Sequence, residues 1–157
     1  MSAQLIKNGR LVMETRVIDG GAVLIEDGKI ARIYDKTPDL SGERLNVIDA
    51  GGLYVSPGFI DVHVHGGGGY DFLCGDEDNV LSACRTHLKH GTTAIMATIS
   101  TADNPAFLKA MSAIESAAKK TSQLAGVHIE GPYFAMSQRG AQSPRFIRNP
   151  DPKEYME

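Results

Sequence analysis

Beyond Ser56-Pro57 the chain changes rhythm, and that change constrains its fold more than any other feature. Apolar, β-branched runs (GFIDVHV, then Thr92 to Thr98, then Leu124 to Ile129) alternate with two segments whose apolar residues recur at helical spacing. In the first of these, Val80, Leu81, Cys84 and Leu88 share a face, with Asp78 as the expected N-cap and Gly91 as the terminator. In the second, Asn104 is the expected cap and Pro105 the first helical residue, ahead of a stripe of Phe107, Ala110, Met111, Ile114, Ala117 and Ala118. A strand, a helix and a second parallel strand connect with a right-handed crossover. Residues 56–157 are therefore predicted to form an α/β fold on a parallel sheet.

Residues 1–55 follow another rule. The runs LIKNGRLV, AVLIEDGKIARIY and LNVIDAGGLYV are short, broken by turn residues, and read as β-hairpins. Asn8-Gly9 and Asp27-Gly28 are dipeptides that tolerate the positive φ of tight turns. Around Ile25 and Ile33 apolar and polar residues alternate, as in strands with one covered face. So few strands do not stand alone, and they are expected to need partners from the same protein or another chain. At the other end, Gly131 to Glu157 is rich in Pro, Gly, Arg and Asn and reads as a loop. Three βα units fall well short of the ~250 residues of a closed eight-stranded barrel. The sequence is accordingly expected to be the first part of a longer one.

Composition removes several alternatives. With 42% hydrophobic and 22% charged residues, the 157-residue chain is that of a globular protein with a real core. The net charge is −3 and the basic residues are scattered, which argues against a nucleic-acid partner. No run approaches the ~20 apolar residues of a membrane span, and the amino terminus lacks the pattern of a secretory signal. A cytoplasmic location is expected. Cys74 and Cys84 do not form a CxxC pair and read as free thiols.

Chemistry concentrates in two stretches. In SPGFIDVHVH, side chains repeat their direction every two residues, so Asp61, His63 and His65 share one face. Two imidazoles converging at the carboxyl end of a strand can bind a divalent cation through neutral nitrogens. In VHIEGP, His128 and Glu130 share a face, with Glu130 at the strand end as a candidate metal ligand. His128 lies one inward position deeper and reads as a supporting residue behind the ligands, as does Asp61. The four glycines Gly66 to Gly69 lack phosphate-loop spacing and read as backbone clearance.

These stretches carry a resemblance. PGFIDVHVHG is similar to the opening barrel strand of the amidohydrolase superfamily, and GGGGYDF, GTTAIMATIST, VHIEGPY and RGAQSPRFIR look like the corresponding segments of N-acetylglucosamine-6-phosphate deacetylases. The resemblance implies the first three βα units of a (β/α)8 TIM-like barrel, preceded by a small β-sandwich segment over residues 1–55. It implies that Glu130 is the central metal ligand, that His63 and His65 help to hold a second ion, and that Ala141 and Gln142 contact the sugar phosphate. One or two ions of Zn, Fe or Mn are implied, together with hydrolysis of an acetamide to glucosamine 6-phosphate and acetate. Two further histidine ligands and the aspartate that acts as general acid and base are expected beyond residue 157, so this chain alone is expected to be inactive. A homodimer is implied for the complete protein, with the rest of the barrel as the partner of these units. Two other amidohydrolase activities, N-acetylgalactosamine-6-phosphate deacetylation and cyclic amide hydrolysis, stay open, as does a non-catalytic fragment. The glutamate of HIEGP speaks against the cyclic amidases, which commonly use a carbamylated lysine.

Overall fold

The computed structural model describes residues 3–40 and 42–156, and the chain divides into two compact units, Met1–Pro57 and Gly58–Glu157. In the first unit β1 (Ala3–Val12), β2 (Val17–Glu26) and β3 (Lys29–Tyr34) run antiparallel. Both β4 (Asn46–Asp49) and β5 (Tyr54–Val55) pair parallel with β1. Asp27-Gly28 closes the β2–β3 hairpin with φ of 49° and 77°, Glu26 facing Lys29 across it. Asn8-Gly9, by contrast, makes no hairpin. Strand β1 runs straight through it, and Asn8 (φ 56°) forms a bulge between the Ile6–Val23 and Gly9–Gly21 pairs. A residue in the left-handed region serves a turn or a bulge equally well, and here both flanks find partners in β2.

The third expected hairpin is corrected in the same way. Its two arms, β4 and β5, lie along one edge of β1 and are separated by a loop through Gly51 and Gly52, opposite the bulge, where Gly52 N–H donates to Asn8 O at 2.8 Å. The bulge also resets the alternation along β1. Leu5 packs with Ala22 and Leu24, whereas Leu11 packs with Ile18 and Val23. The described residues of this unit form one sheet, so the second layer of a sandwich is not among them.

The second unit contains β6 (Phe59–Val64), a small hairpin of β7 (Gly66–Gly67) and β8 (Tyr70–Asp71), then α1 (Glu77–Leu88), β9 (Thr92–Ile99), α2 (Asn104–Ala118), β10 (Leu124–Ile129) and a short α3 (Pro152–Tyr155). The parallel sheet has the order β10-β9-β6, which puts β9 between the two strands that carry the candidate ligands. Val80 and Cys84 of α1 and Phe107, Ala110 and Ile114 of α2 pack with Ile95, Ala97 and Ile99 of β9, joined by Phe72. Burial pushes the Cys84 thiol pKa up, and Cys74 is exposed; neither forms a disulfide.

Both helix starts lie just before the expected residues. Asp76, not Asp78, caps α1 by accepting Asn79 N–H at 2.9 Å, and Asp103, not Asn104, caps α2 through Ala106 N–H at 3.0 Å. Each capping aspartate has extended backbone, which leaves Glu77 and Asp78 in the first turn of α1, where acidic side chains complement the helix dipole. Leu88, expected on the buried face, is 51% exposed because α1 ends there. No helix among the described residues is long and apolar enough to cross a membrane.

Glu77 also fastens α1 to α2, since its carboxylate receives the Ser116 hydroxyl and the Lys120 ammonium. The Lys120 hydrogen bond, then that of Ser116, holds the Glu77 pKa below its ordinary value. A carboxyl with a lowered folded pKa contributes stability that is present above its unfolded value and is lost as pH falls through the folded one. Thermal melts taken down from neutral pH through the carboxylate range should therefore show a steeper acid loss for the wild type than for Glu77→Gln. Parallel melting curves would rule out a stabilising role for this contact.

Candidate functional site

Strand β6 delivers His63, and His65 follows it directly; Glu130 follows β10 in the same way. Their side chains meet across β9. His65 Nε2 lies 3.0 Å and His63 Nε2 3.6 Å from Glu130 Oε2, and the ligand atoms of all three residues lie within 4.8 Å of one another. The two imidazoles sit edge to face with ring centroids 5.3 Å apart. Although Glu130 Oε2 is buried, it accepts no hydrogen bond among the described residues; its approach to His65 Nε2 is that of an ion pair only.

That orphaned oxygen tests whether a cation fits. A buried carboxylate oxygen without a donor costs free energy unless something else compensates its charge. Four ligands at ~2.0–2.1 Å around a tetrahedral ion stand ~3.3 Å apart. The observed 3.0 and 3.6 Å bracket that value. Two imidazoles and one carboxylate form a donor set suited to zinc, iron or manganese, and three donors leave at least one position open around an ion that takes four or more. The residues fit the group.

The surroundings hold these side chains in place. Val64 N–H donates to Thr98 Oγ1 at 3.1 Å, and the same oxygen is 3.3 Å from His128 Nδ1, so the buried Thr98 links β6 to β10. The His128 ring tilts against that of His63 with centroids 4.9 Å apart, and its nitrogen meets Thr98 rather than Glu130. Asp61 touches no imidazole by hydrogen bond; its Oδ1 accepts the backbone N–H of His63 at 3.1 Å.

Directly after His65 the chain turns sharply. At Gly66 (φ 151°) an added Cβ would lie 2.0 Å from Tyr70 O, so the β7–β8 hairpin requires glycine there. This accounts for part of the glycine tract without a phosphate. Phe72 N–H donates to His65 O at 2.9 Å, and the wholly buried Phe72 ring ties that hairpin to the core.

The remaining residues singled out in the sequence lie on the loop after Glu130. Gln142 turns its side-chain oxygen back to accept Thr101 N–H at 3.1 Å, while Thr101 Oγ1 donates to Glu130 O at 3.0 Å. Thr101 thus joins the Gln142 loop to the end of β10. Ala141 is exposed beside it. The loop is fastened further on by Arg148, which donates to Ala102 O at 3.0 Å and pairs with Glu154.

Two residues of the site were missed in the sequence, Thr98 and Ser100. Ser100 Oγ lies 2.9 Å from His65 Nδ1. Their two-residue spacing in ATISTAD, in a strand predicted beside the HxH strand, was the available signal.

Comparison with known proteins gives the site a context. The model of the amidohydrolase family matches residues 54–156. The N-acetylglucosamine-6-phosphate deacetylase of Bos taurus is 34% identical over 144 residues, covering 85% of this chain and 35% of that protein. The enzyme of that name from Bacillus subtilis is 31% identical over 153 residues, covering 94% of this chain and 38% of that one. Among solved structures, a mutant N-acetyl-D-glucosamine-6-phosphate deacetylase from Mycobacterium smegmatis, in complex with N-acetyl-D-glucosamine-6-phosphate, superposes with a TM-score of 0.85 at 27% identity, over 99% of this chain and 40% of that one. The Pasteurella multocida enzyme gives 0.87 at 25% identity, over 98% and 41%. The chain therefore spans well under half the length of these relatives.

Proposed function

This chain belongs to the amidohydrolase family, and on that footing we propose that it is the metal-binding amino-terminal part of an N-acetylglucosamine-6-phosphate deacetylase. The observation that carries the proposal is the convergence of His63, His65 and Glu130 around a buried carboxylate oxygen that has no donor. In this reading the three parallel strands and their helices are the first βα units of a barrel. Residues 1–55 are a β-segment that complementary strands complete, which accounts for apolar side chains such as Ile30 and Val47 left exposed on it.

A divalent cation held there would polarise an amide carbonyl and lower the pKa of a water molecule to about 7. The chain's own residues prepare for it. Glu130 supplies the only negative charge among the three converging ligands, and His63 and His65 supply neutral nitrogens. Thr98 fixes the spacing of the strands that carry them. Ala141 and Gln142 stand on the loop proposed to approach the sugar phosphate, and the link through Thr101 couples that loop to Glu130. When the Gln142 oxygen accepts from Thr101, its amide N–H groups remain available to an anionic oxygen.

The test is zinc calorimetry together with acetate release, both measured on the complete protein. N-Acetylglucosamine 6-phosphate is expected to be the better substrate, with the galactosamine epimer as control. His63→Asn should weaken zinc binding by more than the about 10–100-fold expected for losing a partner behind a ligand, or remove one ion from the stoichiometry. Unchanged affinity and stoichiometry would take His63 out of the site. Equal turnover of both epimers would overturn the substrate assignment.

A further inference from the structure

A histidine presents one nitrogen to a cation only when the proton on its other nitrogen has somewhere to go. For His65 the outward-facing atom is Nε2, 3.0 Å from Glu130 Oε2, and Nδ1 lies 2.9 Å from Ser100 Oγ. Ser100 directly follows β9, the strand between the two ligand-bearing strands, and stands two residues beyond Thr98, which engages His128 in the same way. β9 thus reaches a histidine on each side with a hydroxyl, both times through Nδ1. The two hydroxyls differ in their other duties. Thr98 is wholly buried and already accepts Val64 N–H, so it binds strand to strand, whereas Ser100 is only partly buried at the open end of the sheet, beside the candidate ligands.

We infer that Ser100 is a positioning residue that sets the tautomer and ring plane of His65 for a divalent cation, by accepting the Nδ1 proton and leaving the Nε2 lone pair facing Glu130. The inference rests on the reading of His63, His65 and Glu130 as a cation site. A serine is suited to this because its hydroxyl both donates and accepts. It accepts from Nδ1–H and can turn its own proton elsewhere, which holds the ring plane with Nε2 facing Glu130. Alanine can do neither, so His65 would be free to rotate or to turn the wrong tautomer toward the site.

The experiment compares wild type, Ser100→Ala and Ser100→Thr in the complete protein, by zinc calorimetry and by long-range proton–nitrogen correlation of the imidazole rings in the 15N-labelled, zinc-free form. Ser100→Ala should raise the zinc dissociation constant about 10–100-fold and shift the His65 ring-nitrogen signals to a different tautomer balance. Ser100→Thr, which keeps the hydroxyl, should restore both. Wild-type zinc affinity in Ser100→Ala with unmoved His65 signals overturns the inference. So does an equal loss in the alanine and threonine variants without a change in those signals, which would make Ser100 a packing residue only. If the complete wild-type protein binds no zinc while Ser100→Ala still shifts the His65 signals, the hold of Ser100 on the ring stands and the cation-site reading falls.

Discussion

Glu130→Ala is expected to erase the stabilisation of the complete protein by zinc while leaving the metal-free fold at least as stable as wild type. The two halves of that result have different causes. Zinc at about a hundred times its dissociation constant adds about 2.7 kcal/mol to the stability of any protein that binds it only when folded. Alanine removes the only carboxylate among the three converging ligands, and with it that gain. In the absence of metal, Glu130 Oε2 is a buried acceptor with no hydrogen bond, an arrangement that costs about 1–3 kcal/mol, and alanine removes that cost. Melting curves with excess zinc and with chelator separate the two effects. If Glu130→Ala kept the zinc-dependent rise, Glu130 would not be a ligand. If it unfolded without zinc, the carboxylate would be structural.

Phe72→Ala should have the largest effect on stability, about 3–5 kcal/mol, measured by urea unfolding. Its ring is wholly buried in the core of the second unit, and the cavity left by alanine has helices and sheet around it that can close in only partly. The consequence reaches the site because Phe72 N–H also holds His65 O, at the far side of the glycine hairpin. Zinc affinity should therefore fall in Phe72→Ala, whereas Phe72→Leu, which fills more of the space, should recover most of both. A loss below about 1 kcal/mol would show that Phe72 does not anchor this hairpin.

The contrast between these two residues shows what the sequence reveals and what it hides. Glu130, His63 and His65 could be picked out because metal ligands belong to a few chemical types and a strand repeats its direction every two residues, so the pattern needs no knowledge of the fold. Phe72 could not. It follows a glycine tract in a stretch without periodicity, and its burial depends on α1, α2 and β9 closing over it. Asn8-Gly9 fails for a related reason: a left-handed residue permits a hairpin, but the availability of β2 on both flanks makes it a bulge. The helix caps lie one or two residues before the expected positions because DEDN and ADNP each offer more than one side chain able to cap, and the helical start selects among them.

By itself the sequence determined the α/β alternation beyond Pro57, the β-rich character of the segment before it, the faces of both helices and the three candidate ligands, two histidines and a glutamate. These depend on local periodicity and on side-chain chemistry, which neighbours in the chain specify between them. Only the tertiary structure decided that β9 lies between β6 and β10, and hence that Thr98 and Ser100 reach the histidines on either side. It also decided that Glu130 Oε2 is buried without a donor, and that the Gln142 loop is tied to the end of β10 through Thr101. The physical reason is common to all three. Hydrogen-bond partners separated by some thirty to forty residues are selected by strand order and close packing, and neither leaves a periodic trace in the sequence.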